Sequence, residues 1–371
     1  MKNKIIVLIF VMMLAAISVA TFGLPDREFS EIENRYLELK PELSFKSLVD
    51  GSYEEKFEKY MADQISGKDT FVSIKSDMEY LTHKQGANGV YFGKDGKYVK
   101  AYDPNYRQYD ENLQFIDSYM DYYKDKYPIA MLLAPNVQTV YTDVLADNIY
   151  MADAETDFEL AYKKFKDVVY VNPTDTLREH KSEDIYFNTD HHWTMRGAYY
   201  AYTELAKELG ITPNPLIMYS DEIVSEDFYG SLYSKAPLSF AKPDAIEVLS
   251  NPAGNYRVTF EDGTRMNSLF AGSKLHTKDK YTYFLDGNHP FITIESNAGS
   301  GKKALVFKDS YSHALLPFLA DHYDKIDVVD LRYYHEDVKE LTESGNYDQI
   351  IMIYNLDFMT SDSNFIWMNV K

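Results

Sequence analysis

The chain has 371 residues and 45% hydrophobic content, which suits one large globular domain with a buried core and an accessory piece. Its 38 basic and 58 acidic residues give a formal net charge of −20. A surface this acidic repels phosphate backbones, so we exclude nucleic acid as a partner. Cysteine is absent, which excludes disulfides, thiolate metal sites and cysteine nucleophiles.

The N-terminus carries a segment that suits a membrane. Lys2 and Lys4 precede an uncharged run of 18 residues from Ile5 to Phe22, the lower limit for a membrane-spanning helix. A basic start before an apolar run also describes a signal peptide, and Ser18-Val19-Ala20 would suit cleavage. We interpret residues 1–23 as a signal anchor or signal peptide and favour the anchor. Because positive charge stays inside, the rest would lie on the extracytoplasmic face of a bacterial membrane, or be secreted after cleavage.

The remaining chain is predicted to contain a helical linker region and an α/β domain. Residues 24–88 are polar, with apolar positions at helical spacing, and we place the large domain at 89–371. Within it, helices and strands alternate, which predicts parallel strands joined by crossover helices. The predicted strands are 129–133, 168–171, 304–307, 326–329 and 349–354, and the predicted helices are 109–127, 152–166, 195–209, 314–323 and 336–344. Short alternating segments between turns predict a β- and loop-rich insertion at about 212–300 that decorates this domain.

One serine lies at a strand-to-helix junction. Ser310 follows the buried strand at 304–307 and precedes a predicted helix. Open α/β sheets bind ligands at the carboxyl ends of their strands, and a helix N-terminus can stabilise an oxyanion. Serine is also a preferred N-cap, and Ser310 taken alone favours that interpretation.

An acidic residue and two histidines give Ser310 a possible base. In Asp190-His191-His192-Trp193, an acid lies two residues from an imidazole and can orient the ring and stabilise its charged form. A serine nucleophile needs such a base. Two alternatives are a loop cluster satisfied by backbone groups and a metal site that adds His180. Adjacent histidines usually point apart, so we rank metal lower and expect no metal ion or other cofactor.

The order of these elements resembles a known fold. The second half of the chain resembles the opening half of SGNH hydrolases, whose serine follows the first strand and whose oxyanion asparagine follows the third. Here the order is a strand, Ser310, a helix, a strand, a helix, a strand and then Asn355. The other half precedes it here, so the sequence resembles a circularly permuted SGNH-hydrolase-like three-layer sandwich with a parallel sheet. An Asp-x-His-Trp motif ahead of the serine is similar to periplasmic alginate O-acetyltransferases, and most of all to the DHHW family. The likeness spans roughly residues 29–358 and includes Glu33-Asn34-Arg35, Gly93-Lys94-Asp95-Gly96, Phe228-Tyr229-Gly230-Ser231, Asn288-His289-Pro290 and Leu331-Arg332-Tyr333.

The resemblance implies roles for individual residues. Asp190 and His192 would be acid and base, Ser310 the nucleophile, and Asn355 an oxyanion donor beside the Ser310 backbone N–H. Two positions depart from the family pattern, because Lys308 replaces the glycine before the Asp-Ser pair and Leu331-Arg332-Tyr333 replaces the glycine after the second strand. The alternatives are that one oxyanion donor is missing or that Arg332 substitutes for it. A further role open to the Arg332 guanidinium is to hold an acyl carbonyl or a sugar hydroxyl. The residues we assign to substrate binding are Trp193, Tyr311, Tyr333 and Asn288.

The resemblance also implies a function. The implied function is that of an exported serine O-acetyltransferase that acts on a cell-surface or secreted polysaccharide through an acyl-serine. The implied source of its acyl donor is a multi-pass membrane acyltransferase. D-alanine is an alternative acyl group. A carbohydrate acetylesterase is an alternative if the pocket admits water. A non-catalytic glycan-binding surface protein with a vestigial triad is the alternative from another class.

Overall fold

In the computed structural model, which describes residues 2–370, the chain divides into two compact units. The first comprises the chain up to Val90 together with Tyr233–Ala241, and the second comprises Tyr91–Leu232 with the chain from Lys242 onward. Residues 233–241, which were predicted to belong to the insertion, thus group with the N-terminal unit.

In chain order, the α-helices of residues 2–370 are α1 (Lys2–Gly23), α2 (Phe45–Val49), α3 (Ser52–Gln64), α4 (Lys68–Leu81), α5 (Tyr106–Tyr123), α6 (Val137–Val140), α7 (Ala154–Lys164), α8 (Thr174–Glu179), α9 (Met195–Glu208), α10 (Ser231–Lys235), α11 (Leu316–Ala320), α12 (Val338–Ser344) and α13 (Leu356–Ser361). Among them, α5, α7, α9, α11 and α12 correspond to the five helices predicted in the large domain, although α11 is shorter than predicted.

The strands of the same residues include all those the sequence predicted in the large domain. In chain order they are β1 (Phe29–Ser30), β2 (Arg35–Tyr36), β3 (Gly86–Ala87), β4 (Val90–Phe92), β5 (Tyr98–Lys100), β6 (Ile129–Ala134), β7 (Val169–Val171), β8 (Ser220–Phe228), β9 (Asp244–Ser250), β10 (Tyr256–Phe260), β11 (Arg265–Met266), β12 (Phe291–Ser296), β13 (Lys303–Lys308), β14 (Lys325–Val329) and β15 (Gln349–Asn355).

The N-terminal unit begins with a strongly apolar helix. Within α1, Lys4–Gly23 is long and apolar enough to cross a membrane, with a mean hydropathy of 2.9 and only 6% of its most apolar stretch buried. Further along, Glu33 and Arg35 flank a turn at Asn34, which has a positive φ of 49°. Arg35 and Lys68 both form ion pairs with the Asp63 carboxylate on α3, which fixes this turn against the helices of the unit.

The second unit is built on one large sheet with the strand order β11-β10-β12-β14-β13-β15-β6-β7. Within the run β14-β13-β15-β6-β7, each strand is parallel to the next. Alternate residues of β13 face two separate cores, because Val306 packs with α9 and α11 whereas Leu305 and Phe307 pack with α5 and α13. Strands buried on both faces in this way give near-continuous apolar runs, which is why the sequence revealed them. The predicted α/β three-layer sandwich is confirmed.

The insertion contains strands and loops as predicted, but it does more than decorate the domain. β12 pairs antiparallel with β14, with Ile294 opposite Ile326, and β10 pairs antiparallel with β12. These strands and β11 therefore extend the main sheet, while β8 and β9 form a separate antiparallel pair. A strand with alternating apolar and polar residues has the same sequence pattern in a separate hairpin and at the edge of a larger sheet, so the sequence could not distinguish the two.

The parallel strands place their carboxyl ends on one edge of the sheet. Ser310 follows β13, Arg332 follows β14, Asn355 ends β15, and Asn136 follows β6. The candidate residues that are distant in sequence therefore meet on this edge, where open α/β sheets bind ligands.

Candidate active site

The Ser310 hydroxyl is free of a capping role. The N-cap of the short 3₁₀ helix Ser310–Ala314 is Asp309, whose Oδ1 accepts the Tyr311 backbone N–H at 2.9 Å. Asp309 Oδ2 accepts the Asn355 backbone N–H at 2.6 Å and ties the ends of β13 and β15 together. Interpreting Ser310 as the cap is therefore wrong, because its neighbour performs that function.

Ser310 instead belongs to a chain of side-chain hydrogen bonds. Ser310 Oγ lies 2.8 Å from His192 Nε2, and His192 Nδ1 lies 2.6 Å from Asp190 Oδ1. The same Asp190 oxygen accepts the His192 backbone N–H at 3.0 Å, which fixes the loop around the imidazole. Asp190 and His192 are buried, whereas Ser310 is half-buried and accessible.

The segment Phe228–Ser231 closes around Asp190. The Ser231 backbone N–H donates to Asp190 Oδ2 at 2.7 Å, and the Gly230 N–H donates to Thr189 Oγ1 at 2.9 Å. Position 230 must be glycine, because a Cβ there would lie 2.3 Å from the Asp190 Cβ. Burial opposes ionisation of Asp190, but the neighbouring His191 and His192 and the Ser231 N–H hold its pKa well below the usual range. Asp190 is therefore a stable anion beneath the imidazole.

Tyr281, which was not among the predicted site residues, forms one wall of the site. Its ring stacks on the His192 imidazole with centroids 3.8 Å apart and an interplanar angle of 7°. Its hydroxyl donates to the Ser310 carbonyl oxygen at 3.1 Å. Tyr281 comes from a 3₁₀ helix of the insertion, Lys280–Tyr283, so no local motif marked it. It fixes the plane of the imidazole and the backbone of the serine together.

Trp193 and Tyr311 connect the two segments of the site. The Trp193 indole N–H donates to the Tyr311 carbonyl oxygen at 2.8 Å, and the Tyr311 hydroxyl donates to the His191 carbonyl oxygen. Their exposed fractions are 0% and 2%. Our assignment of these two residues to substrate binding needs correction, because side chains without exposed surface cannot touch a substrate. They position the loop at 190–193 against the turn that carries Ser310.

Asn355 lies at the site, but its side-chain amide is engaged. Asn355 Nδ2 donates to the Ala134 carbonyl oxygen at 3.0 Å and to Asn136 Oδ1 at 2.9 Å. Its Oδ1 accepts the Asp357 N–H at 3.1 Å and caps α13. Both amide hydrogens are thus committed in this structure, so Asn355 has none to offer an oxyanion. Among the described residues, the Ser310 backbone N–H makes no hydrogen bond.

The two departures from the family's glycine pattern are linked through one aspartate. Lys308 Nζ donates to Asp330 Oδ2 at 2.8 Å, and Arg332 donates to both Asp330 oxygens, from Nε at 2.8 Å and from Nη2 at 2.6 Å. Lys308 Nζ also lies 2.7 Å from His313 Nε2. Burial lowers the pKa of Lys308, and it lowers the pKa of His313 well below the usual range, so His313 is a neutral acceptor. Lys308 and Arg332 therefore form one buried charge cluster with Asp330.

Arg332, Asn288 and Tyr333 are brought together beside this cluster. Arg332 Nη2 donates to Asn288 Oδ1 at 2.9 Å, and the Arg332 guanidinium carbon lies 5.3 Å from the centre of the Tyr333 ring. Tyr333 is 49% exposed, so it presents a ring face to solvent at the carboxyl edge of the sheet. Arg332 is held rigidly by Asp330, so its position is set before any ligand arrives.

A metal site would compete with this hydrogen-bond chain. The possible ligand atoms of Asp190, His191 and His192 lie within 4.8 Å of one another. His192, however, uses both ring nitrogens for Asp190 and Ser310, and His191 Nδ1 lies 2.9 Å from Ser231 Oγ. His180 lies elsewhere, with Nδ1 2.8 Å from Glu183 Oε1. The expected fourth ligand is therefore absent from the cluster within residues 2–370.

The family is decided by sequence comparison. The profile of the family described as DHHW protein matches residues 83–329, which is more than half of the chain and includes Asp190, His192 and Ser310. This chain belongs to the DHHW family. The predicted family membership is confirmed. No sequence among the curated proteins matches this DHHW protein significantly.

Solved structures with the same fold extend this result. A DHHW family protein from Eubacterium siraeum is 22% identical, with a TM-score of 0.67 over 76% of this chain and 95% of its own. Bacillus cereus PatB1 is also 22% identical, with a TM-score of 0.63 over 73% of this chain and 97% of its own. Bacillus cereus PatB1 with a sulfonyl adduct is 21% identical, with a TM-score of 0.63 over 76% of this chain and 98% of its own. These likenesses show the fold, and the predicted circularly permuted SGNH-like fold of this DHHW protein is confirmed.

Proposed function

We propose that this protein is an extracytoplasmic serine O-acyltransferase that moves an acetyl group to a hydroxyl of a cell-surface or secreted polysaccharide. The observation that carries the proposal is the hydrogen-bonded chain from Asp190 through His192 to Ser310. The Ser310 hydroxyl caps no helix, and its distance to the His192 nitrogen suits proton transfer.

The first half-reaction loads the serine. His192 Nε2 takes the Ser310 proton while Oγ attacks the carbonyl carbon of the acyl donor. The bond between that carbon and the donor's leaving oxygen then breaks, and His192 returns the proton to the leaving oxygen. Asp190 stays ionised and stabilises the imidazolium, as its low pKa requires. The product is an acetyl-serine.

The second half-reaction uses the same groups in the same order. His192 takes the proton of a sugar hydroxyl, whose oxygen attacks the acetyl-serine carbonyl carbon. The carbon–Oγ bond breaks, and His192 returns the proton to Ser310. The stacking of Tyr281 on the imidazole keeps the ring in one plane through both steps.

Charge on the carbonyl oxygen needs donors in both steps. We assign the Ser310 backbone N–H as one donor and Arg332 Nη1 as the second, because Arg332 Nε and Nη2 bind Asp330 and Asn288 and so hold the guanidinium at the neighbouring strand end. Asn355 takes a positioning role, since its amide hydrogens bind Ala134 and Asn136. Tyr333 and Asn288 beside Arg332 form the surface that we assign to substrate.

The membrane segment suits transfer better than hydrolysis. Lys4–Gly23 can cross a membrane by length and composition, and a tethered enzyme can take an acyl group from a membrane donor. We propose a multi-pass membrane acyltransferase as the partner that delivers the acetyl group. A secreted esterase would gain little from such an anchor.

The test of the serine mechanism is Ser310→Ala in the full-length protein in detergent. We expect p-nitrophenyl acetate to give a burst with the native protein, and we expect the variant to lose at least about 10³-fold in rate. Ser312→Ala is the matched control, because Ser312 Oγ donates to the Asp309 carbonyl oxygen rather than to His192. The control should keep most of the activity.

The outcomes separate the competing functions. Full activity in Ser310→Ala would overturn the serine mechanism. A burst that leads to acetylated oligosaccharide supports the transferase, whereas a burst that leads only to free acetate indicates an esterase. No burst, with no labelling of Ser310 by a sulfonyl fluoride, would indicate a non-catalytic glycan-binding protein.

A further inference from the structure

A groove lies on the carboxyl edge of the sheet beyond the residues of the proposed reaction. Two adjoining pockets of about 410 and 320 Å³ share Thr139, Glu155 and Arg178 in their linings. Thr139 follows β6, and three other lining residues, Asn172, Thr174 and Asp175, follow β7. The groove therefore lies on the same edge as Ser310.

The groove presents the groups that bind sugars. Tyr162 is 58% exposed and lines one pocket, with its ring centre 5.7 Å from that of Tyr170, so part of the ring is available to the apolar face of a sugar ring. Arg178 donates to the Thr139 carbonyl oxygen and forms ion pairs with Glu155 and Asp175. Glu155 and Asp175 side chains are 67% and 93% exposed, so they can still accept hydrogen bonds from hydroxyl groups.

Two polar side chains of the lining are unsatisfied. Thr139 Oγ1 and Gln138 Nε2 are buried and have no hydrogen-bond partner among the described residues. Thr139 is only 6% exposed, and both residues line the second pocket. Buried polar atoms without partners are uncommon and costly. Each atom exposes less than 1 Å² in this structure, so a ligand rich in hydroxyl groups would supply the missing partners only after these side chains turn toward the groove.

The charge of the groove selects among glycans. The described lining of the two pockets carries five acidic side chains and one basic one: Asp147, Asp153, Glu155, Glu159, Asp175 and Arg178. Two of those acids already pair with the single arginine. A chain of uronate sugars would meet repulsion here, whereas an uncharged chain would meet none.

We infer that this groove binds an uncharged stretch of the acceptor polysaccharide at a distance from Ser310. Three strand steps separate β13 from β7, which corresponds to about 14 Å across the sheet. A short acceptor at Ser310 would not reach the groove, but a chain of several sugars would. This inference rests on the proposed transfer to a polysaccharide, and it narrows the acceptor to glycans without carboxylates along this stretch.

The test compares Tyr162→Ala and Tyr162→Phe in the full-length protein in detergent. Binding of cellohexaose, chitohexaose and hexagalacturonate is measured by calorimetry without an acyl donor. We expect at least one uncharged hexamer to bind more tightly than hexagalacturonate, and we expect Tyr162→Ala to weaken it roughly tenfold, the value of an aromatic contact. Tyr162→Phe keeps the ring and should bind normally.

Transfer kinetics give a second readout. Tyr162→Ala should raise KM for the hexamer by a similar factor, with kcat, the disaccharide acceptor and p-nitrophenyl acetate hydrolysis unchanged. Tighter binding of hexagalacturonate, or equal hexamer binding by native protein and Tyr162→Ala, would overturn the inference. Since binding needs no acyl donor, failure of the serine mechanism in Ser310→Ala remains a separate result.

Discussion

Three charged side chains meet where the ends of β13 and β14 lie side by side. Lys308 and Arg332 share the Asp330 carboxylate, which is fully buried. A buried charge without a partner is costly, so a lysine at 308 requires an acid within reach. Asp330 meets this requirement and at the same time fixes Arg332. The two departures from the glycine pattern are therefore one structural feature.

This feature predicts an order of stabilities. Asp330→Asn keeps the shape but leaves Lys308 and Arg332 without their anion, and we expect a loss of about 3–5 kcal/mol. Lys308→Met leaves Asp330 paired with Arg332, so we expect a smaller loss. Thermal melting of the full-length protein in detergent should rank native protein first, Lys308→Met second and Asp330→Asn last. The reverse order of the two variants would contradict the shared-aspartate arrangement.

The residues that the sequence could predict are those with a local motif. Asp190 and His192 lie in one tetrapeptide, and Ser310 lies at a strand-to-helix junction, so pattern and chemistry marked each one. Tyr281 and Asp330 have no such motif, because their contacts join segments far apart in the chain. Trp193 was assigned to substrate binding, but its burial is a property of packing that residue type does not reveal.

At the scale of elements, one turn determines whether the Asp190 carboxylate receives a backbone hydrogen bond that fixes its position. The connection from β8 to α10 passes so close to Asp190 that only glycine fits at 230. The family resemblance pointed to this segment without giving a reason. The structure supplies the reason, because the Ser231 N–H reaches Asp190 only through that close approach.

Gly230→Ala should therefore damage the site without removing any of its side chains. The added methyl would lie 2.6 Å from Asp190 Oδ2, so either the carboxylate or the turn must move. We expect kcat for p-nitrophenyl acetate to fall roughly 10–100-fold, because misplacement of about 1 Å is enough for such a loss. Gly272→Ala is the matched control, since its Cβ would meet nothing within 4 Å. Equal activity in the two variants would show that the close approach does not matter.

The sequence predicted the positions of helices and strands more accurately than it predicted which strands pair with each other. The strands of the parallel sheet were found because strands buried on both faces are continuously apolar. The helix predicted at 314–323 is shorter, as α11 covers only Leu316–Ala320 and follows a 3₁₀ turn. The joining of β12 to β14 depends on contacts between distant segments, which short-range patterns do not encode.

At the scale of the whole molecule, the apolar helix and the acidic remainder predict a tethered protein. Ile5, Ile6 and Val7 are consecutive on α1 and each more than half exposed, so the protein itself does not bury this stretch of the helix. A helix with this composition is stable in a bilayer and unfavourable in water. The net charge of −20 instead suits an aqueous compartment for the rest of the chain.

We expect the full chain expressed in bacteria to remain with membranes after carbonate washing, and residues 24–371 alone to be soluble. Protease added to spheroplasts should digest the large domain of the full chain, because two N-terminal lysines keep that end in the cytoplasm. The matched control carries Lys2→Glu and Lys4→Glu, which removes the charge bias without altering the apolar run. This control should protect part of the large domain from protease. Release of the native chain into the medium, shortened near residue 20, would show instead that the segment is a cleaved signal peptide.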